Sequence, residues 1–188
     1  ARYEAIFTEA RAEFRRLDGD IESHTEIVVS PEDDIELRRL RITNRSRTRR
    51  TIDVTSYAEV ALASAAADAL HPAFSNLFVQ TEIVPQRQAI LCTRRPRSHD
   101  EHSPWMFHLI AIHGPDATDV SYETDRMAFI GRGRTVAAPQ AMLDAGSLSG
   151  SQGSVLDPVV AIRHRITLDP QQTATIDMAS GMAETRDA

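Results

Sequence analysis

The clearest pattern along the chain has a period of two. From Thr51, the row Ile52, Val54, Ser56, Ala58, Val60 and Leu62 alternates with Asp53, Thr55, Tyr57 and Glu59. One row faces a core and the other faces water, as in a half-buried strand. Ile35-Glu36-Leu37 and Leu40-Arg41-Ile42 alternate as well, and their slip of phase at Arg38-Arg39 predicts a bulge. The polar stretch Asn44-Arg45-Ser46-Arg47 between these segments predicts a hairpin connection. Further strands are predicted over 21–29, 77–84, 89–93, 105–113, 120–124, 159–168 and 173–178, with breaks at Pro31, Pro85, Pro96 and Gly114-Pro115. Residues 3–8 and 12–17 read as strands leading to a turn at Asp18-Gly19, although Phe7, Ala10, Phe14 and Leu17 also fit a helix. Alanine-rich 63–70 predicts a short helical turn, and no long helix is predicted elsewhere. About ten or more strands without crossover helices imply antiparallel sheets packed face to face, an all-β sandwich.

Composition bounds the picture. A chain of 188 residues suits one domain spanning 1–188. It is long enough to bury about 70% of its unfolded surface without a disulfide or a structural metal. The glycine- and serine-rich stretch 146–153 reads as a surface loop inside that domain, since strand-like pattern continues after it. A net charge of −6 argues against nucleic acid and against direct contact with an anionic membrane. No apolar run approaches the ~18 residues of a membrane span, and the lone Cys92 excludes a disulfide framework. All 21 basic residues are arginine, which we read as base composition of the genome rather than as selection for guanidinium chemistry. The start at Ala1 without methionine or signal-like segment, and the stop at Ala188, lead us to expect a piece of a longer polypeptide.

Candidate chemistry is sparse. His99-Asp100-Glu101-His102 groups two imidazoles and two carboxylates, but the flanking prolines and serines place it in a solvated loop, and no metal or cofactor is expected. His108 shares a strand face with Met106, Ile110 and Ile112 and reads as a hydrogen-bonded core histidine, with His113 at the rim. His71-Pro72 opens a loop holding Phe74, Asn76 and Phe78; it suits either stacking on a sugar with hydrogen bonds from His71 and Asn76, or packing under a turn. No nucleophile elbow is present, and Cys92 in an apolar strand reads as a small hydrophobe. Carboxylates recur at Glu32-Asp33-Asp34, Asp116 with Asp119, and Glu123 with Asp125, but spacing does not establish the facing pair that glycosidic chemistry needs. The segment 120–139 stands apart. A strand ends in Glu123-Thr124-Asp125-Arg126, Phe129-Ile130 follow, and Gly131-Arg132-Gly133-Arg134 then combines permissive backbone with forked donors suited to hydroxyls, carboxylates or phosphate.

That segment, with Pro139, Asp157-Pro158 and Ile166-Thr167-Leu168-Asp169-Pro170, resembles the N-terminal domain of inverting disaccharide phosphorylases such as cellobiose and chitobiose phosphorylases. Val29-Ser30-Pro31-Glu32-Asp33-Asp34, Arg41-Ile42-Thr43-Asn44-Arg45-Ser46, Thr55-Ser56-Tyr57-Ala58-Glu59 and 71–78 (HPAFSNLF) look closer still to one branch. That branch is the phosphorylase-like region of cyclic β-1,2-glucan synthases.

The resemblance implies a large antiparallel β-supersandwich, galactose mutarotase-like in fold. It implies a non-catalytic, carbohydrate-binding-type domain that packs on a helical (α/α)6 catalytic domain of the same polypeptide, with residues 179–188 starting the linker to it. It also implies a contribution to a homodimer and to the rim of a site for β-glucan or glucose oligosaccharides. Glu123, Asp125, Arg126, Arg132, Arg134, His71 and Asn76 are the expected rim or interface residues, and none is expected to be catalytic. The parent would be a glycosyltransferase and glycoside phosphorylase at the cytoplasmic face of the inner membrane. Two alternatives remain: a self-contained mutarotase-like epimerase, for which His108 with Glu59 or Glu82 would be the acid and base, or a scaffold without sugar affinity.

Overall fold

Twelve strands carry about half of the described residues in the computed structural model, which describes residues 2–96, 98, 103–114 and 117–187. In chain order they are β1 Arg2–Phe7, β2 Ala12–Asp18, β3 Ile21–Val29, β4 Ile35–Asn44, β5 Arg50–Thr55, β6 Ala58–Glu59, β7 Val79–Val84, β8 Ala89–Arg94, β9 Trp105–His113, β10 Ala117–Asp125, β11 Pro158–Leu168 and β12 Thr173–Ala183. Three short helices interrupt them: α1 Ala65–Leu70, α2 Pro72–Asn76 and α3 Arg126–Ile130. One sheet runs β1-β2-β3-β4-β12-β9-β8-β7; the other runs β10-β11-β5, with β6 also on β11. The pairs β1–β2, β2–β3, β3–β4, β4–β12, β7–β8 and β6–β11 are antiparallel. The fold is all-β, as the period-two pattern predicts.

Two compact units divide the chain, and strands β5, β9, β10, β11 and β12 pass from one to the other. The first takes in Ala1–Val54, Leu109–Asp119 and His164–Gly181. Its interior is built on Ile42, Ile110, Ile166, Leu168, Ala174 and Ile176, with Asn44 fully buried among the polar groups. The second takes in Thr55–His108, Val120–Arg163 and Met182–Ala188. Val79, Ile90, Cys92 and the run Val159 to Ile162 are its fully buried apolar residues.

Local structure departs from the sequence pattern in five places. No bulge occurs at Arg38-Arg39, because β4 keeps unbroken register with both β3 and β12. The apparent slip arises because Leu37 shares its face with the charged row Arg39 and Arg41, where it pairs with Val28, while Leu40 and Ile42 occupy the other face. The stretch 44–47 is not a hairpin, since β4 and β5 belong to different sheets. Asn44 makes that connection: its amide donates to the carbonyls of Thr48, Leu168 and Asp169, and its Oδ1 accepts from the backbone N–H and the hydroxyl of Ser46.

The alternating run from Thr51 breaks at Ser56-Tyr57, where the Ser56 hydroxyl accepts from Ile162 N–H at 3.1 Å; β6 then resumes on the same partner strand. Residues 72–76 are helical where a loop was expected, because Pro72 sits at the first helical position and needs no N–H partner there. β12 continues to Ala183, beyond the end at 178 expected for that strand, and Arg186 pairs with Glu82. The His99–His102 cluster and Asp116 lie outside the described residues.

Candidate functional site

The distinctive segment at the end of β10 lies wholly in the second unit. Asp125 caps α3: its side chain accepts from Met127 N–H at 2.8 Å, satisfying a donor the helix leaves open. α3 is anchored on one side by Phe129 and Ile130, 3% and 4% exposed, which pack with Ala141 and Ala161 and against Tyr57 and Leu148. The Tyr57 and Phe129 rings lie 4.8 Å apart. Gly131 ends the helix at φ +84°, its N–H bonded to Met127 O. A Cβ built there would stand 2.7 Å from Gln140 Cβ, so only glycine fits between α3 and the short 3-10 turn Gln140–Met142. Gly133, also at positive φ, then carries the chain round to present Arg132 and Arg134 to solvent. Among the described residues neither guanidinium has a recorded partner.

Arg126 points elsewhere. Its Nε donates to Glu59 Oε1 at 3.0 Å and lies 3.8 Å from Asp157 Oδ2, while its backbone N–H bonds Asp157 O. Tyr57 OH donates to the same Glu59 oxygen at 3.1 Å, and Asn76 Nδ2 donates to Asp157 Oδ1 at 3.0 Å. The Arg126 hydrogen bond holds the Glu59 carboxyl below its ordinary range, and Glu59 raises Arg126 in turn. Burial, reinforced by Glu59, pushes the Tyr57 phenol up to about 12, so it remains a neutral donor. The result is a chain of polar contacts, Tyr57–Glu59–Arg126–Asp157–Asn76, that ties α2 to the start of α3. Asn76 Oδ1 is buried without a partner among the described residues.

Glu123 lies beneath this surface rather than on it. It is 1% exposed, and its carboxylate accepts from the N–H groups of Thr124, Asp125 and Ser149 and from the Ser149 hydroxyl at 2.5 Å. Its carboxylate is engaged in holding the 146–153 stretch. Thr124 and Thr81 hold the same stretch through Ser151 O and Gly153. His71 is exposed and caps α2 without a side-chain hydrogen bond. Of the expected residues, then, Asn76 and Arg126 converge on Asp157, Asp125 shapes the helix, and Arg132 and Arg134 stand free on the turn.

Other candidates have settled partners. His108 is buried and hydrogen-bonds Ser56 Oγ at 2.7 Å, as its place on the apolar face predicts. Glu59 and Glu82 are held by Arg126 and Arg186, which leaves neither as an unpaired base for His108. Burial pushes the Cys92 thiol up to about 12, which makes it inert as a nucleophile. Among the described residues no group of three His, Cys, Asp or Glu is placed to hold a metal.

Sequence reasoning assigns no contact to three residues that the structure places in these networks: Asp157, Arg94 and Arg163. Arg163 is 4% exposed. Its guanidinium donates to the carbonyls of Ala141, Asp144 and Gly146, and its Nε donates to Thr55 Oγ1. No carboxylate pairs with it among the described residues. The signal was an arginine inside the apolar run Val159 to Leu168, on a central strand buried on both faces.

The chain belongs to the family of glycosyl hydrolase 94 supersandwich domains, whose model matches residues 1–188. It is 39% identical over 157 residues to the cyclic beta-(1,2)-glucan synthase NdvB of Rhizobium meliloti (strain 1021). That match covers 84% of this chain but 6% of the synthase, so the chain spans only a small part of that relative's length. Among solved structures, a TPR-domain-containing protein of Parabacteroides distasonis ATCC 8503 aligns over 98% of this chain and 34% of its own, at 10% identity and a TM-score of 0.42. No described helix is long and apolar enough to cross a membrane.

Proposed function

We propose that this supersandwich is a non-catalytic domain of a cyclic β-1,2-glucan synthase, serving the phosphorylase-like region of that polypeptide at the cytoplasmic side of the inner membrane. In this reading it packs on a helical catalytic domain, contributes to a dimer, and lends the turn Gly131–Arg134 to the rim of a β-1,2-glucan site. The observation that carries the reading is the turn itself. Two exposed guanidiniums, without partners among the described residues, project from a backbone fixed by buried Phe129 and Ile130. Forked donors of this kind suit sugar hydroxyls or a facing carboxylate. The engagement of Glu59 by Arg126 and of Glu82 by Arg186 favours an accessory role over an epimerase.

The test is the double substitution Arg132→Ala/Arg134→Ala in the full-length polypeptide, with phosphorolysis of linear β-1,2-glucan and sedimentation as readouts. A raised KM, or loss of the dimer, is expected. Unchanged kinetics together with unchanged assembly would eliminate the reading, and anomer interconversion of glucose by the domain alone would favour the epimerase.

A further inference from the structure

We propose that Arg163 is the positioning residue of the Gly131–Arg134 turn, acting through the strap of residues 140–146; this rests on the reading of the turn as a sugar rim. A buried cation normally requires an anion, because taking a guanidinium out of water is unfavourable unless its donors are all met. Among the described residues Arg163 has no carboxylate partner and meets its donors instead with backbone carbonyls of residues 141–146 and the Thr55 hydroxyl. Its Nη2 reaches Ala141 O at 2.5 Å, its Nη1 reaches Gly146 O at 2.8 Å, and Nε is held by Thr55 Oγ1 at 3.0 Å.

The same segment supports the arginine turn. Ala141 packs in the cluster with Phe129 and Ile130, and Gln140 abuts Gly131 so closely that a Cβ would collide with it. The strap continues into the stretch held by the Glu123 carboxylate through Ser149. Arg163 therefore holds both ends of the strap, at Ala141 and Gly146, and the buried Glu123 carboxylate holds the stretch that follows it at Ser149. A planar fork can bind several carbonyls in fixed directions, whereas a lysine ammonium on a flexible stem cannot reproduce that geometry. Arg163 touches no substrate in this scheme; it fixes the backbone from which Arg132 and Arg134 project.

Four variants of the full-length polypeptide test the inference: Arg163→Met, Arg163→Lys, Gly131→Ala and Arg132→Ala/Arg134→Ala. Backbone hydrogen exchange over 131–146 and the kinetics of linear β-1,2-glucan phosphorolysis are the readouts. Arg163→Met is expected to speed exchange over 131–146 by about tenfold or more without change in β3 and β4, and to raise KM about tenfold at constant kcat. Arg163→Lys is expected to behave as Arg163→Met does. Gly131→Ala displaces the turn from its other side and is expected to give the same KM-only signature, which serves if Arg163→Met does not fold. Unchanged exchange over 131–146 would overturn the inference. So would unchanged KM in Arg163→Met and Gly131→Ala when the double arginine variant raises it, and so would full rescue by lysine. If the double arginine variant leaves KM unaltered while Arg163→Met loosens 131–146, the sugar-rim reading falls and the clamp stands.

Discussion

An open sheet face of the first unit and the buried charges of the second treat charge in opposite ways. On the face of β3, β4 and β12 in the first unit, charges meet charges across the strands. Glu26, Arg39 and Asp177 form one cross-strand row, with Arg39 bonded to Asp177 at 2.7 and 3.1 Å and His113 3.4 Å from the same carboxylate. Arg11, Arg15 and His24 surround Glu13 one strand further out. These arginines remain about half exposed, so solvent and salt screen what they gain. In the second unit, Glu123, Arg163 and Arg94 are buried and meet no opposite charge among the described residues. Each binds backbone or hydroxyl groups of a segment outside the sheets: Glu123 at Ser149, Arg163 at residues 141–146, and Arg94 at Ser75 O and Oγ in α2. Pairs of surface charges decorate a sheet that its own ladder already holds together, whereas single buried charges give shape to loops.

The contrast can be broken from its stronger side. Arg163→Met would leave three carbonyls without their donor, and a loss of about 3 kcal/mol in urea unfolding is expected. A loss below about 1 kcal/mol would show that water replaces the guanidinium and that the clamp is dispensable.

His164 gives an intermediate effect. It is 3% exposed, its Nε2 has no partner among the described residues, and burial holds its pKa below the ordinary 6.5. The unfolded chain takes up a proton near pH 6.5 that the folded state resists, so stability should fall as pH drops below 6.5, by at most about 1.4 kcal/mol per pH unit. His164→Leu should flatten this slope between pH 6.5 and 5; an unaltered slope would assign it to another group.

The smallest effect belongs to the exposed lattice. Arg39 holds the Asp177 carboxyl below its ordinary 3.8, so this pair contributes above that pH and its contribution is lost only as pH falls through the lowered value. Asp177→Asn should therefore shift the urea midpoint slightly at neutral pH and low salt, and not at all at 1 M salt. A shift that survives high salt would contradict the claim that this face is only screened surface.

Much of the fold is legible in the sequence because strands obey a local rule. Ile21–Val29 and Trp105–His113 have the limits that their flanking turns dictate. The family resemblance is carried by turns and strand ends, which the chain states outright. What fails to show is tertiary. Leu37 suggests a bulge because one apolar residue on a charged face mimics a phase slip. Asn44 reads as a turn residue until its amide is seen bridging β4 to the end of β11. At the site, Arg132 and Arg134 are readable because glycines advertise an unusual backbone, while Glu123 looks like one more acidic turn and is fully enclosed. Arg163 is the harder case. Its partners are carbonyls, which every residue has, so no residue type marks the other end of the contact.

The central claim is that the arginine turn, held on buried charges, is the part of this domain that meets glucan. Backbone hydrogen exchange of the full-length polypeptide with and without linear β-1,2-glucan tests it most directly. Slower exchange confined to 131–134 and the adjoining strap, with β3 and β4 unaffected, is the predicted result. Protection on the β3–β4–β12 face instead, or none in either unit, would contradict it.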